Sequence, residues 1–234
     1  MGLILCIETG TDICSAALAK DGELIALRES DGVGHDHARQ IGVYVDELLR
    51  GNDLTPDDLD AVAVGKGPGS YTGLRIGVSF AKGLCYAVGI PLLAVDSLLS
   101  LAECAVEEHE AGLWDTDDWA QTVLCPMIDA RRMEVYTELF DSSLNPLSQV
   151  KAEVVTAESF AETAGRILLC FGNGAQKCRE VLPEARFVEI GHSARGLCRL
   201  AEQRFVAGQT EDVAYFEPFY LKDFIVTTSK KKLF

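Results

Sequence analysis

The chain has 234 residues, 48% of them apolar and 24% charged, with a formal net charge of −15. Such a length buries a full core, as one domain or as two lobes of roughly 100 residues. The charge argues against direct nucleic-acid binding, because Lys and Arg must displace counterions along the phosphate backbone; a nucleic-acid role would need a basic partner.

Residues 3–7 form a short apolar run suited to a buried strand, followed by the polar turn Glu8-Thr9-Gly10-Thr11 and a second strand over 13–19. Lys20-Asp21-Gly22-Glu23 is a hairpin signal leading to a third strand, 24–28. Over 37–50, Ile41, Tyr44, Val45, Leu48 and Leu49 recur at helical spacing, and Gly51-Asn52 ends the run. A helical turn at Thr55-Pro56-Asp57-Asp58 precedes a strand at 61–64, a helix at 70–88, a strand at 91–95 and a helix from Asp96 or Ser97 to about residue 108. The second half predicts strands at 123–128, 134–140, 147–155, 167–171 and 185–189, and helices at 158–165, 176–182 and 193–207.

The order βββαβαβα therefore occurs twice, which predicts an α/β protein with two mixed sheets. It is the order of the ribonuclease H-like unit, duplicated in the two-lobed actin-like ATPase fold, where a nucleotide lies between the lobes. The expected division is an N-terminal ribonuclease H-like lobe over 1–97, a C-terminal lobe over 98–210 and a tail over 211–234.

The run Gly65-Lys66-Gly67-Pro68-Gly69-Ser70-Tyr71-Thr72-Gly73-Leu74-Arg75 links a strand to a helix with four glycines and a proline. Glycine permits positive φ and close backbone approach, and a helix beginning near Ser70 would aim free N–H groups at that spot. Two readings stay open: an anion site, or a sharp strand-to-helix turn. The run is neither a P-loop nor GxGxxG.

Cys6, Cys14, Cys85, Cys104, Cys125, Cys170, Cys178 and Cys198 show no CxxC pair or zinc spacing and read as buried reduced thiols. The acidic stretch 103–118 reads as a solvated helix end and loop, or a site for a metal or a basic protein. The basic run Lys230-Lys231-Lys232 reads as a frayed end or a docking peptide. No apolar stretch reaches the ~18 residues that span a membrane, the start is too short for a signal sequence, and Cys6 stands where myristoylation wants Ser or Thr. A cytoplasmic protein without membrane contact is expected.

Four stretches resemble the bacterial TsaB family: Leu5-Cys6-Ile7-Glu8-Thr9 with Cys14-Ser15-Ala16-Ala17-Leu18; Gly67-Pro68-Gly69-Ser70-Tyr71-Thr72-Gly73-Leu74-Arg75-Ile76-Gly77; Ile128-Asp129-Ala130-Arg131-Arg132-Met133-Glu134-Val135-Tyr136; and Pro218-Phe219-Tyr220-Leu221-Lys222. The resemblance covers nearly the whole chain. It implies a non-catalytic scaffold subunit required for N6-threonylcarbamoylation of the adenosine beside the anticodon in tRNA. Such a subunit pairs with a catalytic TsaD-like homologue of the same fold and enables recruitment of a TsaE-like ATPase. A homodimer when alone is expected from the apolar helix face over 70–88, tRNA contact only through the complex from the net charge, and neither cofactor nor metal is expected.

The residues themselves argue against catalysis. No two histidines stand at i and i+4, the helical spacing that would hold a metal; His35 and His37 are two apart, and His109 and His192 stand alone as surface or capping residues. This also argues against a metallopeptidase, and Ser70 sits in no GxSxG elbow. Glu8 and Thr9, with Asp129, Arg131 and Arg132, fall at the ends of the first strands of the two halves and mark a possible cleft. A phosphate loop there would need small residues rather than two arginines; these read better as pairing with acids or crossing a lobe interface. Gly172-Asn173-Gly174-Ala175 is either an adenine contact or a turn.

The helix over 70–88 has two apolar faces. Leu74, Val78, Ala81, Cys85 and Val88 would pack on a sheet, whereas Ile76, Phe80, Gly83, Leu84 and Ala87 need a partner; Arg75, Ser79, Lys82 and Tyr86 make a polar stripe. Gly73, Gly77, Ala81 and Gly83 are small enough for close helix approach. Arg39, Val43 and Arg50 on the preceding helix complete the expected interface, Arg39, Val43, Arg50, Arg75, Ile76, Phe80, Gly83 and Ala87. A nucleotide-dependent small-molecule kinase and a self-contained homodimeric regulator are the alternatives.

Overall fold

The computed structural model describes residues 1–32 and 36–222; His35 and the Lys230 to Lys232 run lie outside them. The first sheet contains β1 (Leu3–Glu8), β2 (Ser15–Lys20), β3 (Glu23–Glu29), β4 (Ala61–Gly65) and β5 (Leu92–Val95), in the order β3-β2-β1-β4-β5. β1, β2 and β3 pair antiparallel, whereas β4 and β5 extend the sheet parallel. Asp21 and Gly22 both take positive φ in the β2–β3 turn, as a two-residue hairpin of the primed type requires. The second sheet, β6 (Thr122–Asp129), β7 (Glu134–Thr137), β8 (Lys151–Val154), β9 (Ile167–Phe171) and β10 (Arg186–Phe187), repeats the pattern in the order β10-β9-β6-β7-β8. Parallel and antiparallel pairings fall at equivalent positions in both, so the fold is a duplicated ribonuclease H-like unit.

The helices depart from the duplication. α1 (His37–Gly51), α2 (Tyr71–Val88) and α3 (Ser97–Glu110) form as the apolar spacing predicts. Residues 158–165 and 176–182 make only single 3-10 turns, Ala161–Thr163 and Gln176–Cys178. In the first, Phe160 takes a left-handed conformation to bury its ring, and Gly165 does so five residues on; in the second, Gly174 and Pro183 leave too short a run to nucleate a helix. The predicted helix at 193–207 starts as the 3-10 turn Ala194–Leu197, which holds Gly196, and becomes α4 (Cys198–Val206). Strands predicted at 134–140 and 147–155 pair only over Glu134–Thr137 and Lys151–Val154, because Phe140 turns back to bridge Leu124 and Pro146.

Alternation along β1, β4 and β5 gives the first sheet two different faces. Leu5, Ile7, Val62, Val64 and Leu92 pack against α1 and α2; Cys6, Ala17, Ala19, Ala61 and Ala63 face the other way and admit the 194–197 turn and α4 at close range. α3 instead lies on the second sheet, with Leu98, Leu101 and Ala105 against Leu124, Ile128, Leu169 and Phe171. α4 thus covers the first sheet although its sequence neighbours belong to the second half, whereas α3 covers the sheet that follows it in the chain. The remaining face of the second sheet is closed by loop residues, among them Phe160, Cys178 and Leu182. All eight cysteines are buried, and burial pushes the Cys104 thiol up to about 12. No described helix is long and apolar enough to cross a membrane.

An ion-pair network joins α3 to α4 and the 194–197 turn. Arg199 lies 3.2 Å from Glu103 and 2.7 Å from Glu110, and Arg195 pairs with Glu108. Burial, reinforced by Glu103, pushes the Glu107 carboxyl up to about 7 against the pull of Arg195 and Arg199. A raised carboxylate means that the native state binds the proton between about pH 4.5 and 7 while the unfolded chain has released it, so stability falls as pH rises through that window. With this side chain only partly buried, the loss is about 1–2 kcal/mol after solvent screening. Glu107→Gln should therefore raise the melting temperature at pH 8 by about 4 °C and leave it nearly unchanged at pH 5. Equal effects at the two pH values in a thermal scan would contradict this account.

Candidate partner interface and inter-lobe cleft

The glycine-rich loop closes onto its own chain. Ser70 caps α2, its Oγ accepting from the Gly73 N–H at 3.3 Å, and the Ser70 N–H donates to the Gly10 carbonyl at 2.7 Å. The Thr9 hydroxyl donates to the Gly73 carbonyl at 2.8 Å. A Cβ on Gly73 would overlap the Thr9 carbonyl oxygen, and one on Gly77 the Thr9 hydroxyl. The β1–β2 turn therefore sits directly on the first turns of α2. The strand-to-helix turn is the reading that holds: the chain's own backbone occupies the place expected for an anion. Gly73, Gly77 and Ala81 point inward rather than toward a partner helix, leaving only Gly83 of that set exposed.

Glu8 is wholly buried at the end of β1. Its carboxylate accepts from the Gly10 N–H at 2.7 Å and from Ser97 Oγ at 3.1 Å, and lies 3.3 Å from His192 Nε2. His192 is 4% exposed and sits 3.1 Å from Ser100 Oγ. This corrects the surface reading of His192, as well as that of His37, which opens α1 in a buried position with Nε2 2.8 Å from the Thr11 carbonyl.

Asp129 has a different set of partners. It pairs with Lys177, whose Nζ also donates to the Glu134 carbonyl at 2.7 Å. Asn173 links the two halves: its side-chain oxygen accepts from the Asp129 N–H at 2.9 Å, and its Nδ2 donates to Asp12 at 3.0 Å. Arg131 and Arg132 are exposed with positive φ, and among the described residues no acid pairs with either. A Cβ on Gly172 or Gly174 would run into the backbone at the end of β6, so those glycines serve close packing; beside them a cavity of about 300 Å³ lies between the two halves, lined by Asp12, Ile13, Asn173, Gln176, Phe187 and His192 among others. Of the cleft residues, Glu8 and Thr9 are spent on internal packing, Asp129 on an ion pair, and Arg131 and Arg132 face solvent.

The outer side of α1 and α2 differs in character. A groove of about 570 Å³ runs between them, lined by Ala38, Ile41, Tyr71, Arg75, Ile76 and Phe80 among others. Ile76 and Phe80 are half-buried and reach the core below, while Gly83 and Ala87 are exposed and Tyr86 is 86% exposed. On α1, Val43 is 48% exposed, Arg39 is exposed, and Arg50 pairs with Asp46 at 2.7 Å. Lys82 leaves the expected polar stripe: its Nζ donates to the carbonyls of Ala214 and Phe216 at 3.3 and 2.8 Å, pinning a C-terminal strap over residues 211–222. The Phe219 N–H then donates to the Lys66 carbonyl at 2.7 Å, Tyr220 lies 4.8 Å from the Tyr71 ring, and Lys222 pairs with Glu134 of the second lobe.

These features define a two-lobed protein of duplicated ribonuclease H-like halves, with a cavity of about 300 Å³ between them and an open helical groove on the outer side. The family profile described as TsaD, tRNA N6-adenosine threonylcarbamoyltransferase, matches residues 31–159. The tRNA threonylcarbamoyladenosine biosynthesis protein TsaB of Escherichia coli K12 is 30% identical over 94% of both chains. Its namesake from Bacillus subtilis 168 is 32% identical over 94% of this chain and 93% of that one. The solved structure of YeaZ from Pseudomonas aeruginosa superposes with a TM-score of 0.78 at 27% identity, covering 94% of this chain and all of that one. The chain belongs to the TsaB family, whose members bear the name of tRNA threonylcarbamoyladenosine biosynthesis proteins.

Proposed function

We propose that the chain acts in tRNA threonylcarbamoyladenosine formation as a non-catalytic subunit, pairing through its α1–α2 surface with a TsaD-type catalytic partner. The observation that carries this reading is the open groove along the outer side of α1 and α2, floored by Ile41, Ile76 and Phe80, while the inner side of α2 is closed onto Thr9 and Gly10. A groove between two helices suits two helices of a partner with the same fold, giving a four-helix contact. Arg39, Val43, Arg50, Arg75, Ile76, Phe80, Gly83 and Ala87 form the contact, and the same surface serves a homodimer when the partner is absent. A TsaE-type ATPase joins the pair, and tRNA is reached through the complex, since a net charge of −15 opposes direct binding. The two lobes, 1–97 and 98–210, act as one support for that surface, with cytoplasmic residence.

Val43→Glu and Phe80→Glu test the reading. The first places a charge on an exposed position and should leave the fold intact; the second, at a half-buried ring, should also lower stability. Each should weaken pairing by about 2 kcal/mol or more, roughly thirtyfold, in sedimentation with the TsaD-type partner. A folded Val43→Glu chain that pairs normally and supports full tRNA modification would reject the interface.

A further inference from the structure

Of the described residues that line the α1–α2 groove, only Arg75 is charged; the others are apolar or carry hydroxyls. Its contacts are aromatic. Nη1 donates to the Tyr71 hydroxyl at 3.3 Å, and the guanidinium carbon lies 5.4 Å from the centre of the Tyr71 ring. Among the described residues no acid pairs with it. Tyr71 is braced in turn by Tyr220, whose ring centre is 4.8 Å away. The strap is fastened on both sides of Tyr220, by the Phe219 N–H on the Lys66 carbonyl at 2.7 Å and by Lys222 on Glu134. The donors of Arg75 that Tyr71 does not use keep the planar fork that matches a carboxylate. An arginine held in one geometry before binding also loses less rotamer freedom when it pairs.

A second copy of the chain does not supply that carboxylate. α2 contains no Asp or Glu, and the two acids of α1, Asp46 and Glu47, are paired with Arg50 at 2.7 Å and Arg28 at 3.0 Å. We propose that Arg75 recognises an Asp or Glu on the helix of the TsaD-type partner that enters the groove, and that Tyr71 and Tyr220 are positioning residues for its guanidinium. The proposal rests on the α1–α2 pairing reading and adds the chemistry of the partner's helix: apolar residues for Ile41, Ile76 and Phe80, and one carboxylate within reach of Arg75. The strap thereby serves recognition on the first lobe while anchored to the second.

The test measures pairing of the full-length chain with the TsaD-type partner at about 50 mM and about 500 mM salt, between which the screening length falls from about 14 Å to about 4 Å. Arg75→Gln should weaken pairing about tenfold at the lower salt and less than about threefold at the higher, because a charge at the mouth of the groove is screened and apolar contacts are not. Tyr220→Ala should weaken pairing about threefold in the native background and leave it unchanged beside Arg75→Gln, since it acts through that guanidinium. Tyr220→Phe keeps the ring and should pair as the native chain does. Arg75→Gln pairing within about twofold of native at the lower salt, or an equal loss at both salts, overturns the carboxylate assignment. A Tyr220→Ala chain that pairs like the native one, or whose loss persists beside Arg75→Gln, overturns the positioning. Val43→Glu separates these failures from that of the interface: if it abolishes pairing, the surface stands and only the recognition of a carboxylate falls, and if it pairs normally, the surface itself is misplaced.

Discussion

Gly73→Ala should lower the melting temperature by about 10 °C while leaving the chain folded at room temperature. The new methyl group would overlap the Thr9 carbonyl oxygen, a backbone atom that cannot swing aside, and the same carbonyl face of α2 accepts the Thr9 hydroxyl at 2.8 Å. Relief requires α2 to lift off the β1–β2 turn, straining the Ser70–Gly10 bond and opening the core beneath Leu74 and Val78. Overpacking of this kind combined with a weakened buried hydrogen bond costs about 4 kcal/mol, and a chain of this size loses roughly 2–4 °C per kcal/mol. Gly83→Ala is the internal control: it sits on the same helix with no atom near its would-be Cβ, and should be neutral or stabilising by about 0.5–1 kcal/mol. Calorimetric scans of the two variants decide the matter, and a Gly73→Ala scan within 2 °C of the native one, roughly the effect of a single kcal/mol, would remove the packing argument.

Glu8→Ala should cost about 3–4 kcal/mol in denaturant unfolding. It strips the Gly10 N–H and the Ser97 hydroxyl of their acceptor and leaves His192 facing a cavity that solvent does not reach. Glu8→Gln keeps an acceptor oxygen in place and should cost less than half as much. Combining each with His192→Ala separates the contact from its surroundings, because coupled neighbours give non-additive losses. If Glu8 instead awaited a metal or nucleotide, Glu8→Ala would relieve an unmet charge and the chain would gain stability.

Local pattern made much of the fold legible. Ile41, Val45, Leu48 and Leu49 announce α1, apolar runs mark β1 and β4, and the doubled strand order predicts both sheets. Partnership across long separations was not legible. The apolar stripe of α3 shows that it is buried, yet says nothing of which sheet it covers; the same stripe fits either. His192 looks solitary because its partners, Ser100 and Glu8, lie 92 and more residues away. Gly73 and Gly77 did signal close approach, but spacing cannot tell a partner helix from the chain's own Thr9, and the structure assigns them to Thr9. The strap was hidden for a different reason: it has no periodicity, and it is held by the carbonyls of Ala214 and Phe216, which any sequence supplies. At the surface, the outward placement of Val43, Gly83 and Ala87 follows from the helical period alone.

The placement of α4 on the first sheet sets an order of events during synthesis. When the last strand of the first sheet, β5, has left the ribosome, the Cys6, Ala17 and Ala63 face of that sheet is still bare, because α4 lies about 100 residues further along. At roughly 5–20 residues per second, several seconds pass before its cover exists. The first half is thus exposed to sticky encounters for longer than a self-contained unit of its size would be, and its protection arrives with nearly the last helix made. Small alanine and cysteine side chains present less apolar area over that interval than the leucines and valines of the opposite face, which α1 and α2 cover early.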